Sequence, residues 1–353
     1  MEVRPMKETT DVSEKNARYY KEAYERERQK NHVLAGKLAD AEGRAADLEQ
    51  KLKRIKGSIF WKLSKPLRSA VHGMQRTKER LGYYGSVKGV LRKLDAKRIE
   101  KKAKASHGTA GFPTPEEARE QRETIFAREI KISILVPLYN TPKQFLTDAI
   151  DSVLAQTYEN WELCLTDDSD AEHDYVEQMC EAYIEKDRQY LQAHPKLREL
   201  VGTESRILYR RHERSGGIAG NTNFCLSLAG GEYIGLFDHD DILHPAALYE
   251  YMKAICEKNA DYIYCDEATF HGNSIDNMIT LHFKPDFAID NLRANNYICH
   301  FSVFDRKLLA GTELFRPKYN GSQDHDMILR LTAQAKHIVH IPKLLYYWRS
   351  HKG

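Results

Sequence analysis

The chain has 353 residues, 41% hydrophobic and 30% charged, enough for one large domain, a smaller attachment and much solvated surface. A net charge of only +3 excludes a general nucleic-acid binder, although basic residues crowd the stretch from Lys62 to Lys104 and carboxylates gather later. Cys164, Cys180, Cys225, Cys256, Cys265 and Cys299 include no C-x-x-C pair. That spacing excludes a zinc site and fits buried thiols in a reducing compartment.

The N-terminal MEVRPMKETTDVSEKN lacks the apolar core of a secretory signal. No apolar run is long enough to span a bilayer. The expectation is a cytoplasmic protein, soluble or peripheral at the inner face of the cell membrane.

Residues 1–56 are highly polar and read as a helix. Leu34, Leu38, Ala41, Ala45, Leu48, Leu52 and Ile55 alternate spacings of four and three, an a/d heptad seam. Tyr20 and Tyr24 continue its phase, but Glu27 and Asn31 interrupt it. The seam suits self-association through a coiled coil, or a solvated helix docked on its own domain.

Residues 57–111 read as a basic aromatic helical linker. Ile59, Phe60, Trp61 and Leu63 sit among Lys62, Lys65 and Arg68, and Pro66 interrupts any long helix. Aromatics beside cations suit a membrane interface or another protein surface. Residues 86–104 form a basic helix with Val87, Val90, Leu91 and Leu94 on one face, either a packed helix with a solvated side or a contact for lipid and polyanions.

Residues 112–353 carry the α/β pattern. Thr114 as N-cap, Pro115 and two glutamates predict a helix to about Ala127. Lys131–Pro137 is an apolar, β-branched run that reads as a buried parallel strand. Helices at 144–156, 174–184 and 221–228 alternate with strands at 161–166, 207–209 and 233–237. A further strand is expected at 262–265. Residues 186–205 fit no clean element and read as an insertion. The alternation predicts a mostly parallel sheet covered by helices on both faces.

Ligands of such sheets bind beyond the carboxyl ends of the strands. The expected strands empty into Pro137-Leu138-Tyr139-Asn140, Asp167-Asp168-Ser169-Asp170, Asp238-His239-Asp240-Asp241 and Asp266-Glu267. Carboxylates converging on one edge repel one another, and a divalent cation with oxygen ligands resolves that repulsion. Asp238 and Asp240, two apart past a strand, can share a face, one for a metal and one for a ribose hydroxyl. A D-x-D triplet is also common in ordinary turns. Gly216, Gly217 and Gly220 make a close turn near phosphate or simply a loop. No P-loop and no G-x-G-x-x-G follows the first strand, which argues against an NTPase and a dinucleotide oxidoreductase. Asn320-Gly321 precedes a helix, and Asp324 near its start serves as an N-cap or as a general base.

KISILVPLYN, AIDSVLAQTYENWELCLTDDSD, HERSGGIAGNTNFCLSLAGGEYIGLFDHDD, HFKPD, NNYICH, GSQDHDMILRL and LLYYWRSHKG occur in this order. Together they resemble an inverting family 2 glycosyltransferase of the GT-A fold, from about Ile132 to the end. SIFWKLSKPLR and the basic helix after it resemble the leader of bacterial polysaccharide-synthesis members.

The resemblance implies that residues 112–353 are the catalytic domain, using Mn²⁺ or Mg²⁺ and a UDP- or dTDP-linked sugar donor. The acceptor it implies is a glycan or lipid-linked molecule in cell-surface polysaccharide synthesis. Pro137, Tyr139 and Asn140 would line the nucleotide pocket. Asp168 would accept from a uracil or thymine edge, and Asp238 would sit near ribose or metal. Asp240 would ligate the metal, with His351 beside it. Arg349 and His300 would meet the diphosphate or the acceptor. Asp324 would be the catalytic base, with Gln323 where the family usually has Glu. The processive pattern Q-x-x-R-W is absent, which favours single-sugar transfer.

A non-catalytic nucleotide-sugar-binding or scaffold protein on the same fold is the alternative. A nucleotidyltransferase lacks its Gly-rich basic loop here, since Tyr139-Asn140-Thr141-Pro142 stands in that place. The chain stops two residues after His351, which leaves room for a further C-terminal domain.

Overall fold

The computed structural model describes residues 108–212 and 216–351. The expected heptad helix, the linker with Ile59, Phe60 and Trp61, and the basic helix after it lie outside the described residues. Within them, Thr114 caps α1 (Pro115–Glu123) by accepting from the Glu117 N–H. The Glu117 carboxylate accepts from the Thr114 N–H in return, a complete capping box.

The core units follow in order: β1 (Ile132–Leu138), α2 (Lys143–Leu154), β2 (Trp161–Asp167), α3 (Tyr175–Ala193), α4 (Pro195–Val201), β3 (Ile207–Arg211), α5 (Gly217–Leu228) and β4 (Tyr233–Leu236). The second half comprises β5 (Ile242–Leu243), α6 (Ala247–Lys258), β6 (Tyr262–His271), β7 (Met278–His282), α7 (Ile289–Ala294), β8 (Ser302–Asp305), α8 (Gln323–Thr332) and β9 (Ile338–Ser350).

Among the described residues the strands form one sheet in the order β3-β2-β1-β4-β8-β6-β9-β5, with β7 paired to β6. The ladders among β3, β2, β1 and β4 are all parallel. Beyond β4 the sheet is mixed: β8 runs antiparallel to β4 and β6, whereas β9 runs parallel to β6.

Both faces are covered. Ile132, Ile134, Val136 and Leu138 of β1 enter one core layer, while Leu135 enters the other. Leu146, Ala149, Ile150 and Val153 recur at helical spacing along α2 and pack in the first layer with Leu248, Tyr251, Met252 and Ile255 of α6. Cys225 and Leu226 of α5 and Met327, Ile328 and Leu331 of α8 fill the second. No helix among the described residues is long and apolar enough to cross a membrane.

Four elements differ from their sequence readings. The helix expected to reach Ala127 stops at Glu123, because Thr124 turns extended and its hydroxyl donates to the Glu120 carbonyl at 2.8 Å. The supposed insertion at 186–205 is helical: α3 runs to Ala193 and α4 follows. Its apolar period is masked by Asp187, a buried carboxylate that faces inward and pairs with Arg206 at 2.6 Å. Arg206 also lies 4.1 Å over the Trp161 ring. The helix expected at Asn221 starts at Gly217. The strand expected to end at Cys265 continues to His271, so Asp266 and Glu267 lie inside the sheet. Register shifts against β9 on either side of Asp266 let two consecutive carboxylates both be buried.

Before β4, Gly230 and Gly231 both donate their backbone N–H to the Glu162 carboxylate, and Gly231 also donates to the Ser133 hydroxyl at 2.8 Å. A Cβ at Gly231 would meet the Lys131 carbonyl at 2.5 Å and the Ser133 hydroxyl at 2.6 Å. Gly231→Ala should therefore cost about 1–3 kcal/mol, the usual range for overpacking. Urea unfolding followed by circular dichroism checks this, and an unchanged midpoint would show that the backbone here gives way freely.

Candidate active site

The parallel half of the sheet ends in two loops that hold each other. Asn140, after β1, has a φ of 48°, a left-handed conformation that Asn tolerates better than most residues. Its N–H donates to the Ser169 hydroxyl at 2.8 Å. Its amide donates to Asp170 at 2.9 Å, and its side-chain oxygen accepts from the Asp170 N–H at 3.1 Å. Pro137 is half-buried within β1, opposite Thr166 of β2. Tyr139 projects outward, 59% exposed. Asp168 follows β2 and donates its N–H to the Leu138 carbonyl at 3.0 Å. Asp167 is buried and accepts from Tyr209 at 2.9 Å, so the first carboxylate of the pair builds the fold and the second borders the loop. Asn221 of α5 donates to the Leu138 carbonyl at 2.9 Å, tying the start of that helix to the end of β1.

The acidic turn Asp238-His239-Asp240-Asp241 links β4 to β5. The end of β9 returns beneath it, with Tyr346 and Tyr347 opposite Leu243 and Ile242. Asp241 is fully buried and accepts from the Tyr346 hydroxyl and from the Arg349 N–H, the latter at 2.7 Å. Burial, reinforced by the charge of Asp238, pushes the Asp241 carboxyl well above the usual carboxylate range. Asp240 faces the opening and meets His351 Nε2 at 2.8 Å. His239 meets the Thr141 hydroxyl at 3.0 Å.

Arg349 does not reach toward a ligand, contrary to the sequence reading. Its guanidinium is buried and donates to the Asp240 carbonyl at 2.6 Å, the Gly272 carbonyl at 2.5 Å and the Asp148 carboxylate of α2 at 2.7 Å. Phe145 and Phe270 lie 4.4 and 4.7 Å from it. All three nitrogens of the fork are engaged inside the protein, which makes Arg349 the strut of the acidic turn.

On the other side of Asp238 opens a cleft of about 700 Å³, lined by Phe283, Lys284, Asn296, Cys299, His300 and Trp348 among others. His300 stacks on Tyr346, with ring centroids 4.8 Å apart. Its Nε2 lies 3.2 Å from Asp238 and its Nδ1 3.3 Å from Glu267. Burial disfavours the imidazolium, but contacts to Asp238, Cys299 and Glu267 outweigh it and raise His300 well above the usual imidazole range. Burial likewise opposes ionisation of Glu267, yet His300 and Lys284 overcome it and lower this carboxyl to about 2. Lys284 pairs with Glu267 at 2.9 Å and donates to the carbonyls of Ile298, at 2.6 Å, and His300. Asp266 is likewise internal, paired with His340 at 2.8 Å. Both carboxylates of β6 are therefore paired within the fold, and Glu267 also lines the cleft beside Asp238.

Asp324 lies in the first turn of α8. Asn296 donates to its Oδ2 at 2.7 Å, and Cys299 Sγ stands 3.6 Å from the same oxygen. Both partners line the cleft that Asp238 borders. Gln323 is drawn away and accepts from the Gly321 N–H at 2.8 Å.

A carboxylate and an imidazole of the kind that hold a divalent cation stand together at Asp240 and His351, here hydrogen-bonded to each other. Ligand atoms of Asp238, Asp241 and His300 also lie within 4.8 Å of one another. Asp241, however, already has both oxygens engaged.

The family model described as "Glycosyl transferase family 2" matches residues 133–311, about half of the chain. The chain belongs to glycosyl transferase family 2. Uncharacterized protein y4gI of Sinorhizobium fredii is 37% identical over 227 residues, covering 63% of this chain and 23% of that protein. O-antigen biosynthesis protein RfbC of Myxococcus xanthus is 31% identical over 226 residues, covering 64% and 16%. Glycosyltransferase GlyG of Streptococcus pneumoniae is 28% identical over 236 residues, covering 63% and 71%. The chain thus spans less than a quarter of the length of the first two relatives. The matched region runs from within β1 through Asp238, Asp240 and the 295–300 segment, and Asp324 lies beyond it.

Lys284, Asn296, Asp148 and Tyr346 carry roles that the sequence did not assign. Lys284 and Asn296 stand in HFKPD and NNYICH, motifs that mark the segments without giving the job of each residue. Removing the strut should show in stability. Arg349→Ala leaves Asp148 and the Asp240 and Gly272 carbonyls without their partner, and breaking a buried pair costs about 3–5 kcal/mol. Urea unfolding measures it. A midpoint equal to wild type would return Arg349 to a ligand-binding role.

Proposed function

We propose that this family 2 domain transfers a glycosyl residue, with inversion, from a nucleoside diphosphate sugar to a hydroxyl of a glycan or lipid-linked acceptor in cell-surface polysaccharide synthesis. The observation that carries the reading is the shared cleft. Asp238 borders it on the side of the acidic turn, and Asp324 is held at it by Asn296 and Cys299. A leaving-group site beside Asp238 and a base at Asp324 would then serve one opening.

The roles divide by position. Pro137, Tyr139, Asn140 and Asp168 hold the nucleoside at the ends of β1 and β2, the base edge meeting Asp168. Asp238 meets the ribose. Asp324 takes the proton of the attacking hydroxyl, a contribution typically worth about 10²–10⁴-fold in rate. His300, cationic between Asp238 and Glu267, adds positive charge beside the donor's departing group. Asp240 and His351 would hold Mg²⁺ or Mn²⁺, which when bound supplies positive charge to the diphosphate. UDP- and dTDP-linked sugars are the donors that a carboxylate at the base edge suits. The RfbC likeness supports a place in polysaccharide assembly. Contact with the membrane face through residues 57–111 would bring the domain to a lipid-linked acceptor.

A screen of UDP- and dTDP-sugars, read as nucleoside diphosphate release with Mn²⁺ or Mg²⁺, tests the activity. Release from none of them, together with no nucleotide binding by calorimetry, would favour a scaffold. Asp240→Ala should abolish the dependence of donor binding on the divalent ion, and retention of that dependence removes Asp240 from the site. Asp324→Asn should bind donor as wild type does and lose transfer by about 10²-fold or more. Wild-type turnover would remove Asp324 as the base.

A further inference from the structure

We propose that Asn296 is the positioning residue of the base: its side-chain amide fixes one carboxylate oxygen of Asp324 and leaves the other for the acceptor hydroxyl. The inference rests on the reading of Asp324 as the base and assigns a residue which that reading does not need.

The geometry is specific. Both contacts to the Asp324 carboxylate among the described residues, from Asn296 at 2.7 Å and Cys299 at 3.6 Å, fall on Oδ2. The orientation of the Asn296 amide follows from chemistry, because an ionised carboxylate only accepts and must be faced by the NH₂ group. The Asn296 Oδ1 is then buried with no hydrogen-bond partner. A side chain placed for packing alone would satisfy that oxygen, since an unpaired buried acceptor is costly. The amide is turned toward Asp324 at the expense of its own carbonyl.

The loop that carries Asn296 is itself clamped. Lys284 holds the carbonyls of Ile298 and His300 from below. His325, next to Asp324 on α8, bonds the Leu292 carbonyl at 2.6 Å, so α8 and the end of α7 are pinned one turn from the Asn296 contact. A short amide thus transmits a fixed position to the carboxylate.

The test is the pH dependence of transfer, with the active donor from the screen and p-nitrophenyl glycosides as acceptors. Asn296→Ala should lower kcat on the order of 10²-fold, as misplacement of a reacting group does. The acid limb of its kcat profile should move to higher pH. Asn296→Asp should move that limb further, because two carboxylates then share one site. UDP binding by calorimetry should be unchanged in both, which shows that the donor half is folded. If Asp324→Asn is inactive while Asn296→Ala keeps the wild-type kcat and acid limb, the positioning role is wrong and the base stands. If Asp324→Asn turns over normally, the base reading fails and this one with it. Parallel loss of UDP binding and thermal stability, with no movement of the acid limb in either variant, would mark Asn296 as structural and overturn the proposal.

Discussion

The acidic turn between β4 and β5 is tied down from beneath by one buried residue, Arg349. Its backbone N–H donates to Asp241, and its guanidinium donates to the Asp240 backbone carbonyl and to the Asp148 carboxylate. The same side chain binds α2 and the loop after β6 to the end of β9. The parallel half of the sheet and the mixed half therefore meet at one guanidinium. With Asp241 held inside by Tyr346 and Arg349, Asp240 is left turned to the opening beside His351.

A second buried cation does the same for the opposite wall. Lys284 neutralises Glu267 and grips the 298–300 backbone, so His300 meets Asp238 while Asn296 meets Asp324. One short segment thus touches both functional carboxylates. Burying Lys284 and Glu267 is expensive in isolation, and such pairs contribute little net stability. What they contribute here is placement: a loop held by backbone carbonyls cannot drift by the ångström that would separate base from leaving group.

The parallel half of the sheet was legible because its strands are buried on both faces and therefore read as apolar runs. Short turns carry polar residues directly after them, so Asn140, Asp168 and Asp238 were found at strand ends. The mixed half was less legible for the same physical reason inverted. In β6 the run is broken by Asp266 and Glu267, and only a cross-sheet view shows that His340 and Lys284 pair with them. Asp187 hid a helix in the same way, its partner Arg206 lying a full helix and turn away. Arg349 shows the limit most clearly. An arginine near an acidic motif looks like a phosphate ligand in one dimension, and its three internal partners come from residues 148, 240 and 272.

Among the described residues, Asp324 differs from these in having its hydrogen-bond partners on one carboxylate oxygen. Asp187, Asp241 and Glu267 each have internal partners and serve the fold. Asp324 receives a firm hydrogen bond from one amide and a long contact from a thiol, both on one oxygen. A carboxylate of purely structural use, such as Asp326 two residues on, is gripped by Arg316 and Arg330 together. Among the described residues, two aspartates in the same helical turn thus have different surroundings: one is closed by cations, and the other is aimed by an amide. A proton acceptor requires the second arrangement, since a paired arginine would lower its basicity while blocking the approach of a hydroxyl.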